Sequence, residues 1–96
     1  MSWGYGAVSQ GTANVGTSTG AVVAANSSRK YLRLQNDGTV DVYLSLGTAA
    51  ATLNTGIRLA SGGAYEMNPG YGNVWSGAIQ GIATVGGTRV MYVEGQ

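Results

Sequence analysis

Apolar and polar side chains alternate most regularly between Ala24 and Leu46. Leu32 and Leu34 are interleaved with Tyr31, Arg33 and Gln35. Val40, Val42, Leu44 and Leu46 are interleaved with Asp41, Tyr43 and Ser45. A period of two sends successive side chains to opposite faces, so each run predicts a strand with one buried face. Asn36-Asp37-Gly38 separates the two runs. A loop of Asp37-Gly38 alone would set Leu34 opposite Asp41 and Arg33 opposite Val42, mixing apolar and charged residues on one face. A loop of Asn36-Asp37-Gly38 avoids this. It pairs Leu34 with Val40, Leu32 with Val42, Arg33 with Asp41 and Tyr31 with Tyr43. Gly38 then takes the left-handed position of a G1 bulge. The expected unit is a β-hairpin.

The same device recurs downstream. Ile57-Arg58-Leu59-Ala60 and Ala64-Tyr65-Glu66-Met67 flank Ser61-Gly62-Gly63. The equivalent hairpin pairs Leu59 with Tyr65, Ile57 with Met67 and Arg58 with Glu66, with Gly63 left-handed. Thr12 to Ala25 predicts a first strand or strand pair, interrupted at Gly16 and Gly20. Asn26-Ser27-Ser28 is a turn cluster. Residues 47–55 and 68–73 read as loops, the second holding the only proline, Pro69. Trp75 is expected to plug one end of the core. Gly77–Thr84 and Thr88–Glu94 predict the last two strands, joined near Gly86-Gly87. The pattern leaves the inward face of the last strand open between Val90 with Tyr92 and Met91 with Val93. No window has a helical period. The predicted fold is all-β: a small antiparallel β-sandwich or flattened barrel of about seven or eight short strands. Residues 1–12 form an extended N-terminal arm and residues 13–96 the sandwich.

Composition sharpens this picture. A chain of 96 residues makes one domain, burying roughly 65% of its unfolded surface in a thin core. Phe is absent and Gly numbers 17, which favours strands and turns over helices. Without cysteine, the thin core has no disulfide support, so self-association is the expected compensation. Charged residues make up only 9%, so little repulsion opposes it. Trp3 and Tyr5 share one side of the arm, between glycines that offer no core of their own. They either fold back on the domain or anchor the arm on a neighbouring subunit. The second is favoured, with the arm added as a strand to the neighbour's sheet edge.

Candidate chemistry is sparse. The chain has no His or Cys, and its side-chain carboxylates are Asp37, Asp41, Glu66 and Glu94. Asp41 and Glu66 have cationic partners in the expected hairpins, and Asp37 has a turn role. A carboxylate pair for acid–base work is hard to assemble, serines lack a base, and metal sites lack ligands. No enzyme activity, cofactor or metal is expected. A net charge of +1 argues against nucleic acid as a partner. Arg29-Lys30 reads as a solvated strand entry. Tyr31 and Tyr43, facing outward together, suit subunit contact, sugar stacking or plain surface, with subunit contact favoured. Residues 1–20 lack the basic start and apolar run of a signal peptide, and no stretch suits a membrane span. The expected product is cytoplasmic or assembled there before release, with no membrane partner.

The run Ala24-Ala25-Asn26-Ser27-Ser28-Arg29-Lys30-Tyr31-Leu32-Arg33-Leu34-Gln35-Asn36 resembles a pattern in small β-domains of tailed-bacteriophage virion proteins. Val42-Tyr43-Leu44, Gly47-Thr48-Ala49-Ala50 and Gly56-Ile57-Arg58-Leu59-Ala60-x-Gly62-Gly63 continue it, so the resemblance covers roughly residues 20–85. It carries no catalytic residue. It implies a virion structural role: a head decoration (cement) protein, or a receptor- or carbohydrate-binding module of a head or tail fibre. The leading expectation is a decoration protein on the outer capsid surface, associating with itself as a homotrimer and with the major capsid protein. Trp3, Tyr5, Tyr31 and Tyr43 are its expected interface residues.

Overall fold

The computed structural model describes residues 7–47 and 49–96. Among these residues it contains eight strands and no helix. They are β1 (Val8–Val15), β2 (Gly20–Val23), β3 (Tyr31–Asn36), β4 (Val42–Leu46), β5 (Ile57–Leu59), β6 (Ala64–Met67), β7 (Ile79–Ala83) and β8 (Thr88–Gly95). Two four-stranded antiparallel sheets have the orders β1-β8-β3-β6 and β2-β7-β4-β5. The expected all-β sandwich is therefore the fold, and it is not a closed barrel. Every connection except β4–β5 carries the chain from one sheet to the other. This interleaving of two Greek keys is jelly-roll connectivity.

The core lies between the sheets. Leu32, Leu34, Val42, Leu44, Met67, Ile79 and Val90 are completely or almost completely buried. Burying a side chain of this kind stabilises by about 1.5–3 kcal/mol relative to exposure. The alternation read from the sequence holds: Leu32 and Leu34 point inward from β3, Val42 and Leu44 from β4. On β8, Thr88 and Val90 are buried and Tyr92 packs on the core, while Met91 and Val93 face outward.

Neither expected hairpin forms. β3 pairs with β6 and β8, and β4 pairs with β5 and β7, so β3 and β4 lie in opposite sheets. The same holds for β5 and β6. Residues 37–41 and 60–63 are arches that cross the core's rim. The expected pairs Leu34–Val40 and Leu59–Tyr65 are absent, Gly38 and Gly63 have no positive φ, and Gly62 does, at +77°. The physical reason is Asn36. Its side chain is fully buried at the end of β3. Nδ2 donates to the carbonyls of Val40 (2.7 Å) and Leu59 (2.9 Å), and Oδ1 accepts from Gly38 N–H (2.8 Å). Asn36 N–H donates to Gly63 O, and Gly62 N–H donates to Asn36 O. One amide thus satisfies backbone groups that crossing between sheets would leave orphaned, and it stacks the two arches together.

The charged pairs change partners accordingly. Arg33 stands opposite Glu66 in sheet register, and Arg58 forms an exposed pair with Asp41 at 3.7 Å. Arg29 is no solvated strand entry: it is 4% exposed. Trp75 is no core plug: it is among the exposed large hydrophobics, its indole N–H donating to Ala78 O. The sandwich also begins earlier than expected. Residues 8–12 of the expected arm belong to β1, which pairs with β8 of its own chain along its whole length.

Candidate interaction surface

The two outer faces of the sandwich differ. On the outer face of β2-β7-β4-β5, the connection between β4 and β5 lies close by. Tyr43 donates from its hydroxyl to Asn54 Oδ1 (3.1 Å), Ser45 Oγ donates to Ala49 O (2.9 Å), and Thr19 Oγ1 accepts from Ala51 N–H (2.9 Å). Ile82 points to this face yet is only 9% exposed. This face is partly covered by the chain itself.

The outer face of β1-β8-β3-β6 has no such cover among the described residues. Register sets its side chains in rows across the strands. One row runs Gln10, Val93, Arg33, Glu66 and the next runs Thr12, Met91, Gln35, Ala64. An apolar stripe from β8 is thus flanked by amide, hydroxyl and guanidinium groups. Between these rows lies a shallow depression of about 440 Å³, lined among others by Gln10, Thr12, Arg33, Gln35, Met91 and Val93. Arg33 Nη1 donates to Gln35 Oε1 at 3.2 Å, which holds both side chains over the sheet. Its chemistry is that of a contact surface: hydrogen-bond donors and acceptors around a small apolar centre.

The residues expected at an interface do not meet. Tyr31 lies on this face, half-buried, and donates to Glu66 Oε2 at 2.6 Å. Tyr43 lies on the opposite outer face, beside Asn54. Their separation follows directly from β3 and β4 lying in different sheets. Trp3 and Tyr5 lie outside the described residues. The expectation of Tyr31 and Tyr43 as one outward pair is therefore corrected. Met91, Val93, Gln10 and Thr12 did not stand out in the sequence. The one signal for Met91 and Val93 was the alternation in β8, which is symmetric: either parity offers apolar residues.

Charged groups are used structurally. At one end of the sandwich, Arg29 Nε donates to Glu94 Oε2 (2.7 Å). Nη1 donates to Trp75 O (2.6 Å) and Gly77 O (3.0 Å), and Nη2 to Ala24 O (2.6 Å). At the other end Arg89 pairs with Asp37. Among the described residues, no group of three or more acidic side chains converges as a metal site would require.

No protein-family model matches the chain, and comparisons with curated proteins and with solved structures give no match.

Proposed function

We propose that this chain is a non-enzymatic structural protein of a tailed-phage virion, a decoration protein bound to the outside of the head. The single observation that carries this reading is the outer face of β1-β8-β3-β6, which no described residue covers, set on a jelly-roll framework. Viral capsid domains share that architecture with lectins, so the choice among functions rests on the surface and not on the fold. The stretches that resemble virion proteins include β3, β4, β5 and the first arches, which stack on one another. A weakly charged sheet face suits adhesion to another protein over a broad area. The mechanism is additive: each copy spreads contacts over neighbouring capsid subunits and opposes their separation under packaged DNA.

A second reading has a specific observation behind it. The depression between Gln10, Thr12, Arg33 and Gln35 offers the donors and acceptors that a sugar would use, as in a receptor-binding module of a fibre. The test presents the purified full chain to particles depleted of it and, separately, to a glycan array. Saturable rebinding that raises the temperature of DNA release supports the decoration protein. Glycan binding that is lost in Arg33→Ala, with no effect on particles, supports the fibre module instead.

A further inference from the structure

The four sheet edges of this protein are not equivalent. β5 is three residues long and carries Arg58. β6 is four residues long, carries Glu66 and runs toward Pro69. β2 is four residues long and its register shifts between Ala21 and Val23. Shortness, charge, proline and bulges are the devices by which edges are kept from pairing with other chains. β1 has none of them. It spans eight residues, VSQGTANV, without charge, proline or register shift. No described residue pairs with its outer side.

The free groups can be identified. Ala7 and Gln96 exchange both backbone hydrogen bonds, at 3.1 and 2.9 Å. Antiparallel pairs alternate between bonded and non-bonded. Ser9, Gly11, Ala13 and Val15 therefore bond to β8, and Val8, Gln10, Thr12 and Asn14 aim N–H and C=O away from the sheet.

We infer that β1 is a dimerisation edge, and that its occupant is β1 of a second copy of this chain, antiparallel across a two-fold axis at Gly11. Only the register that sets Val8 against Asn14 and Gln10 against Thr12 of the second copy uses all the free groups of both strands. It brings Gly11 opposite its own symmetry mate in a non-bonded pair, where opposed side chains stand closest. The space a side chain would need there is already filled: a Cβ on Gly11 would lie 2.8 Å from the Tyr92 hydroxyl oxygen. Glycine at the axis lets two Tyr92 rings remain in place. Pairing joins the two bare outer faces into one eight-stranded surface. It sets no charge against a like charge, because β1 carries none. An isologous contact consumes both open edges and closes. A head-to-tail contact would leave one open edge per copy and require one of the blunted edges as partner. The two-fold replaces the three-fold symmetry expected from the resemblance, and it holds whether or not the chain sits on a virion.

Sedimentation velocity on the full chain, over a wide concentration range, tests this. The expected result is a dimer. Thr12→Pro removes an outward N–H that no described bond uses, and should give a monomer with unchanged circular dichroism. The double variant Gln10→Lys with Thr12→Lys sets like charges opposite in the proposed register. It should weaken dimerisation at least tenfold without loss of fold, which decides the matter if the proline variant does not fold. Gln10→Lys with Thr12→Asp should restore the dimer. A wild-type monomer or trimer would overturn the inference, as would a dimer indifferent to the lysine pair or not restored by the lysine–aspartate pair.

Discussion

Arg29 Nε lies 2.7 Å from Glu94 Oε2, with the arginine side chain wholly buried and the glutamate's 14% exposed. The pair joins the entry of β3 to the end of β8, and of the three carbonyls that Arg29 also bonds, those of Trp75 and Gly77 bring in the segment before β7 and that of Ala24 the residue after β2. Such a pair is weak evidence of net stabilisation, yet breaking it from one side is severe.

Arg29→Met should therefore destabilise the fold by about 3–5 kcal/mol, because Glu94 and three carbonyls lose their partner together. Urea unfolding of the two proteins gives the difference. Arg29→Met with Glu94→Leu should recover part of the loss, since no charge is left uncompensated while the three carbonyls still lack their donor.

Asn36→Ala should cost about 3 kcal/mol. The substitution leaves two carbonyls and one N–H at the arch without their partner, each worth roughly 1–3 kcal/mol when buried. Asn36→Asp separates donation from acceptance. It keeps the acceptor for Gly38 N–H but cannot donate to Val40 O and Leu59 O, so it should be destabilised too. Equal stability of wild type and Asn36→Asp in urea would deny the arch-stacking role.

Gly56→Ala should be among the costliest glycine changes. Gly56 has φ +80°, and an added Cβ would collide with the backbone carbonyl of Leu44. Backbone cannot swing aside as a side chain can. A left-handed alanine costs roughly 1–2 kcal/mol before the collision is counted, so a total of about 3 kcal/mol is expected from thermal or urea unfolding. Gly47→Ala is the control for backbone strain alone, since φ there is +108° and no described residue beyond its chain neighbours lies within 4 Å of the added methyl.

Arg58→Ala should be nearly silent. The Arg58–Asp41 pair is long, and the arginine side chain is 65% exposed. Exposed pairs contribute about 0–1 kcal/mol, and the unfolding midpoint should hardly move.

The contrast between these sites marks what was legible in the sequence. Which residues point inward from β3, β4, β5 and β6 followed from alternation, because the pleat fixes it locally. The charged outward residues Arg33, Asp41, Arg58 and Glu66 were found for the same reason. Their partners were not, because a short loop with Asn, Asp and Gly leads equally to a hairpin or to an arch. The difference lies in Asn36, whose amide bonds Leu59 O, 23 residues away. No local pattern encodes that distance. Arg29 follows the same rule: a cation beside Lys30 looks solvated until three chain segments close around it. The bare face was hidden because Met91 and Val93 are as apolar as Val90. The openness of β1 was hidden because a lone strand does not reveal whether both of its sides are paired.

A cryo-electron map of purified particles containing this chain tests its proposed place most directly. Sandwich density is expected on the outer surface of the head, with the outer face of β1-β8-β3-β6 against capsid subunits. Density confined to a fibre tip, or particles without this chain on the head, would contradict it.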